Sequence, residues 1–115
     1  MHDHGKDTYY HPGDLAHFGD MAKGNKELWD KFMGYYGAVF AKGALSEREK
    51  ALIALGVALA VQCPYCIDAY TQACLEKGSN EKEMTEAAHV ACAIRGGASL
   101  AHGVQMRNVV DRLSM

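Results

Sequence analysis

One stretch constrains this chain more than any other. Residues Ala51 to Val61 form an unbroken apolar run, counting Gly56. It is opened by Ser46-Glu47-Arg48-Glu49 and closed by Cys63-Pro64-Tyr65-Cys66. Ser46 with Glu49 three residues later is a capping box, which starts a helix at Glu47. The run is far shorter than the roughly 20 residues a membrane span needs. A helix apolar on nearly every side must be buried on most of them. In a chain of 115 residues, that predicts burial between subunits as well as within one. Pro64 suits the first position of a following helix, because its missing N–H has no partner to lose there. The expected centre is therefore a helical hairpin with two cysteines at its corner.

The rest of the chain reads as helix too. Seventeen alanines and nine leucines outweigh ten valines and isoleucines, and there are two prolines. That balance favours helices over strands, so the fold class is all-α. Residues 1–13 read as a flexible arm and residues 14–115 as one domain, and the N-terminal His2, His4, His11 and His17 read as a solvated tail rather than a metal site. Helices are expected over about Asp14–Lys23, Lys26–Lys42 after an Asn25 cap, Glu47–Val61, Pro64–Lys77, and from an Asn80/Glu83 capping box to Arg95. Gly96-Gly97 is expected to break the last of these before a further helix over Ser99–Leu113. Leu28, Trp29, Phe32, Tyr35, Tyr36, Val39 and Phe40 form an aromatic stripe that reads as core or subunit interface rather than a ligand box.

Charge narrows the function. Twelve basic residues against fourteen acidic give a net charge of -2. That argues against a nucleic-acid surface and against polybasic membrane attachment. The N-terminus has no apolar stretch resembling a signal peptide, so a cytoplasmic location is expected. There an extracellular disulfide framework is not the natural reading of Cys63, Cys66, Cys74 and Cys92.

Cys63 and Cys66 then carry the chemistry. At a helix start, free N–H groups and the positive end of the dipole stabilise a thiolate. Two intervening residues bring the sulfurs within bonding reach, so one can attack and the other resolve. A zinc site is the competing reading. It would need His89, His102 or Cys92 as further ligands. A pair of inert buried thiols is the other. Cys74 and Cys92 read as small core residues.

The stretch Glu47-Arg48-Glu49-Lys50-Ala51-Leu52-Ile53-Ala54-Leu55, followed by Cys63-Pro64-Tyr65-Cys66-Ile67-Asp68-Ala69-Tyr70, resembles the carboxymuconolactone decarboxylase superfamily, closest to its AhpD-like alkylhydroperoxidase branch. The wording CPYCIDAY and AIRGGASLAHGVQ also resembles a peroxidase-like subgroup associated with arsenosugar biosynthesis. The resemblance implies a peroxidase of hydroperoxides or other small substrates that uses neither metal nor cofactor. Cys66 would attack the peroxide and pass through a sulfenic acid, and Cys63 would resolve it as a disulfide. A lipoyl or thioredoxin-like dithiol protein would then reduce the pair. It further implies a homo-oligomer, a trimer or a hexamer.

The chain departs from the family's proton relay. Ala51 stands where the family has a glutamate, and Tyr70 where it commonly has a histidine. Tyr65 stands where the best-known members have another histidine. Tyr70 lies one turn past Cys66 and could donate a hydrogen bond to its sulfur. Glu47, one turn before Ala51, and His89 and His102 on later helices are the candidate replacements. Without a relay, the alternative function is a non-catalytic redox sensor or a dithiol that binds trivalent arsenicals.

Overall fold

The computed structural model of the chain describes residues 11–114. The arm expected over residues 1–13 lies outside the described residues up to residue 10. Its last part belongs to a helix. A 3-10 helix spans Pro12–Lys23, with Pro12 at its start. Four α-helices follow: α1 (Lys26–Phe40), α2 (Glu47–Val61), α3 (Pro64–Glu76) and α4 (Glu81–Leu113). No strand occurs among the described residues, so the fold is all-α as expected.

Local chemistry sets the ends of these helices. The Glu49 N–H donates to Ser46 Oγ at 3.0 Å, and the Ser46 N–H donates to Glu49 Oε1 at 2.9 Å. That is the reciprocal box that opens α2. Asn80 and Glu83 repeat it at the start of α4, at 2.8 and 3.0 Å. Asn25 accepts from the Leu28 N–H and opens α1. α3 ends in a Schellman turn: Gly78 sits at φ 90°, its N–H donates to the Leu75 carbonyl, and the Ser79 N–H donates to that of Cys74. Only glycine takes that φ cheaply. α1 stops at Phe40, short of the Lys42 expected, because Ala41 is extended. Lys50 reaches across from α2 and donates its ammonium protons to the Val39 and Ala41 carbonyls. A cation there offsets the negative end of α1.

α2 is the central element, packed against α3 on one side and α4 on another. Ala51, Leu55 and Ala58 form its buried stripe, and Ala51 and Leu55 meet Cys74 of α3 in a small core backed by Leu59, Tyr70 and Met84. Arg48 pairs with Glu83, which ties the N-termini of α2 and α4 together. The opposite face of α2 is open: Ile53, Val57 and Val61 are all exposed. The near-complete burial expected for this helix is therefore not reached within the described residues, because no other described element packs closely over that face.

The expected break at Gly96-Gly97 is absent. α4 continues through both glycines to Leu113, a length of about 50 Å at the usual rise. Neither glycine takes a positive φ. Each costs about 1 kcal/mol of helix propensity, but the alanine-rich flanks carry the helix across them, since propagation is far cheaper than a new nucleus. Beyond Arg95 the helix runs with almost every residue exposed.

Replacing Gly96 and Gly97 together with alanine is expected to raise stability by about 1–2 kcal/mol, because nothing lies within 4 Å of either added Cβ. Gly78→Ala, at positive φ, is expected to lower it by about 1 kcal/mol or more. Urea unfolding of the full chain reads both. A destabilised Gly96/Gly97 double variant would mean that the helix does break there.

Candidate active site

The site lies at the corner between α2 and α3. α2 ends in a turn that places Gln62 in the left-handed region, at φ 58° and ψ 48°. The Gln62 N–H donates to the Leu59 carbonyl at 3.3 Å, and the Cys63 N–H donates to the Ala58 carbonyl at 3.1 Å. The backbone of Cys63 thus closes α2. Its side chain opens α3, where Sγ accepts the Cys66 N–H at 3.4 Å. Cysteine here does what serine or aspartate does at an ordinary N-cap.

Cys63 and Cys66 are free thiols, both half-buried. Their Sγ atoms lie 2.8 Å apart and share a hydrogen bond. The environment separates the two. Cys63 is held below its ordinary thiol value by the hydrogen bond with the Cys66 side chain, then by the Cys66 and Tyr65 N–H groups. Cys66 is pushed up to about 11, first by burial and then by the hydrogen bond and charge of Cys63. When the pair loses one proton, the charge settles on Cys63 and the remaining proton on Cys66. The first cysteine is therefore favoured as thiolate, chiefly by its hydrogen bond with Cys66 and then by the backbone N–H groups of the helix start.

Cys66 also opens onto a cavity of about 470 Å³. Tyr36, Val39 and Phe40 of α1, Ala54, Val57 and Val61 of α2, and Tyr70 of α3 are among its walls. Phe40 stacks on Tyr70 at 5.4 Å and meets Tyr36 at 4.8 Å. The C-terminal half of the aromatic stripe is thus the wall of this cavity, not only core or interface. Tyr36 is the residue that sequence reasoning missed. It is half-buried, and its phenol is raised by burial and then by the charge of Cys66. A phenol at four-residue spacing between Phe32 and Phe40, on an otherwise apolar stripe, was the available signal.

The other expected site residues divide. Tyr70 shares the cavity with Cys66, as its one-turn spacing implies. Glu47 does not reach the site. Its Oε2 pairs with Lys77 Nζ at 2.8 Å, at the far end of the hairpin, about 20 Å from the corner by helix rise. Lys77 holds its carboxyl below the usual range, mainly through that hydrogen bond. His89 and His102 are exposed on α4, which packs on α2, and neither lines the cavity. Cys92, expected to be a small core residue, is exposed on the same helix, because α4 buries little of its surface. Among the described residues no cluster of three or more histidine, cysteine, aspartate or glutamate side chains is placed to hold a metal. Ala51, at the glutamate position of the relay, is buried in the core against Cys74.

A helical hairpin with a paired dithiol at its corner and an apolar cavity beside it defines a class of small all-α domains, and comparison places the chain within a family. Residues 26–106 match the model of the carboxymuconolactone decarboxylase family, and the chain belongs to that family, which covers the AhpD-like proteins. It is 34% identical over 102 residues to a Paracoccus denitrificans protein described as uncharacterized protein 4 in the cox locus, covering 89% of this chain and 92% of that one. The fold is similar to that of a crystal structure from Methanobacterium thermoautotrophicum, a structural-genomics target, with a TM-score of 0.72 and 34% identity, over 75% of this chain and 97% of the other. No helix of the described residues is long and apolar enough to cross a membrane.

Alkylation of the reduced protein by iodoacetamide against pH, read at each of the four cysteines by peptide mass, is expected to show separate steps for the pair, that of Cys63 below the ordinary thiol value and that of Cys66 near 11. Cys66→Ala should move the first step up, since Cys63 loses a hydrogen bond that favours its charge. Cys63→Ser should move the second step down, since Cys66 no longer sits beside a thiolate. A single unshifted step in all three proteins would contradict the assignment.

Proposed function

We propose that this protein is a dithiol oxidoreductase that reduces organic hydroperoxides. The observation that carries the reading is the pair of free sulfurs 2.8 Å apart, one of which faces an apolar cavity. Cys66 attacks the terminal peroxide oxygen, the O–O bond breaks, and a sulfenic acid forms on Cys66 while the alcohol leaves. Cys63 then displaces the hydroxyl from that sulfur, giving water and a Cys63–Cys66 disulfide. Two electrons from a dithiol protein of the lipoyl or thioredoxin type restore the thiols. The cavity walls favour an apolar substituent on the peroxide, because polar groups buried there would lack partners. A reducing compartment such as the cytoplasm would keep the pair in its working state.

We also propose that the chain works as a homo-oligomer. The Cα radius of gyration is 19.1 Å, whereas a compact domain of this length has about 13 Å. Leu100, Val104, Met106, Val110 and Leu113 are exposed along the projecting half of α4, and an apolar surface of this kind marks an interaction site.

A second reading is favoured by Ala51 and Tyr70, which leave the pair without the family's carboxylate and imidazole. In it the two sulfurs hold a trivalent arsenical and turn nothing over. Calorimetric titration of the reduced protein with arsenite tests that reading, and no binding would remove it.

Reduced protein given tert-butyl hydroperoxide is expected to lose both thiols of the pair and to form the Cys63–Cys66 disulfide, read by thiol counting and peptide mass. Cys66→Ser should lower peroxide consumption by about 100-fold or more. A wild-type chain that leaves the peroxide untouched refutes the peroxidase. Light scattering that finds only monomer at micromolar concentration refutes the oligomer.

A further inference from the structure

A sulfur attacks peroxide as the thiolate, yet Cys66, the sulfur that faces the cavity, is the one whose thiol is pushed up, by burial and by Cys63 beside it. The base that removes its proton must lie within hydrogen-bond reach. The groups on every packed element narrow the choice. The 3-10 helix, which packs on α1 and α3, supplies Asp14, His17 and Asp20 with His11 at its start, all exposed and none among the cavity walls, and His17 pairs with Asp20. α1 supplies Tyr36, a phenol that holds its own proton more tightly than usual. α2 supplies Lys50, whose ammonium donates to the Val39 and Ala41 carbonyls. α3 supplies Tyr65, Tyr70 and Asp68, and Asp68 Oδ1 accepts from Gln72 at 2.7 Å. α4 supplies Arg95, a cation that donates to the Ala60 carbonyl. Glu47 is held by Lys77 at the other end of the hairpin, and His89 and His102 lie outside the cavity walls. Against these stands Cys63 Sγ, 2.8 Å from Cys66 Sγ and supported by the Cys66 N–H.

We infer that Cys63 is the general base for Cys66 as well as its resolving sulfur, so that the dithiol pair carries within itself the proton transfer that a separate carboxylate and imidazole would otherwise perform. This rests on the peroxidase reading and deepens it. The step begins with Cys63 as thiolate and Cys66 as thiol. As Cys66 Sγ bonds to the terminal peroxide oxygen, its proton moves to Cys63 Sγ. The O–O bond breaks and its electron pair leaves on the alkoxide. The Cys63 proton then passes to the alkoxide, which departs as alcohol. Cys63, a thiolate again, attacks Cys66 Sγ and expels hydroxide, which takes a proton from solvent. The sulfurs lose two electrons, and the peroxide gains them. The geometry explains how Ala51 and Tyr70 are tolerated: the base has moved to the neighbouring sulfur.

Cys63→Ser and Cys63→Asp separate the two roles. Both replacements are good N-caps, so α3 keeps its start, which circular dichroism of each variant checks. Serine can neither take the proton nor form a disulfide, whereas aspartate can take the proton only. The readout is the single-turnover rate at which the Cys66 thiol is lost to tert-butyl hydroperoxide, with the product identified by mass spectrometry as the disulfide in wild type and as the dimedone-trapped sulfenic acid in the variants. In wild type the rate is expected to rise with pH through the Cys63 titration. Cys63→Ser should form the sulfenic acid about 100-fold more slowly at neutral pH, the usual size of a lost general base, and its rate should rise only through Cys66's own titration. Cys63→Asp should recover at least tenfold of that loss and accumulate sulfenic acid without disulfide. A Cys63→Ser variant that forms sulfenic acid at the wild-type rate would overturn the inference and leave the peroxidase standing, with Cys63 as resolver alone. A Cys63→Asp variant no faster than Cys63→Ser would overturn it too. A wild-type chain that does not react removes the peroxidase reading itself, and the inference with it.

Discussion

The corner at Cys63 is the constraint on which the site depends. One residue closes a helix with its backbone and opens the next with its side chain. Its N–H satisfies a carbonyl at the end of α2, and its sulfur satisfies an N–H at the start of α3. This requires Gln62 to sit in the left-handed region, a cost of about 1–2 kcal/mol for a residue other than glycine. The turn leaves no spare residue between the helices, so the sulfur cannot move without disturbing both. Pro64 locks the first φ of α3 and holds the direction of the turn. The close approach of the two sulfurs follows from this backbone geometry.

The same corner divides the chemistry between two identical side chains. Cys63 sits where N–H groups gather, which favours negative charge. Cys66 sits one turn deeper, against α1 and α2, where burial favours the thiol. The hydrogen bond between them and their different surroundings push their proton affinities apart, and paired groups separated in this way are how a site assigns an acid and a base. The aromatic residues of α1 complete the arrangement. Phe40 and Tyr36 wall the same cavity as Cys66 and Tyr70, so Cys66 faces an apolar space while the capping sulfur stays at the turn.

Much of this was legible in the residues. Ser46 and Glu49, Asn80 and Glu83, Asn25, Pro64 and Gly78 each act through partners within a few positions, and each marks the helix end its chemistry implies. Cys63 and Cys66 share a turn by spacing alone. The misreadings fall where the deciding partner is remote or the cost is shared. Gly96-Gly97 looks like a stop when only local propensity is weighed, but a cooperative helix absorbs two small penalties between good helix formers. Glu47 looked available for the site because nothing local shows that Lys77, thirty positions on, returns to meet it. The stripe from Phe32 to Phe40 has the spacing of a core face, and only the fold reveals which cavity that face covers.

By itself the sequence determined the all-α class, the caps at Asn25, Ser46 and Asn80, the hairpin and the pairing of two thiols at its corner, because all of these rest on contacts within one or two turns. Tertiary structure alone decided which sulfur faces the cavity and is pushed up by burial, that Tyr36 rather than Glu47 comes near the pair, and that His89 and His102 stay outside. Those outcomes depend on how α1 and α4 lie across α2, and desolvation and electrostatic reach are set by distances between helices, which no local pattern encodes.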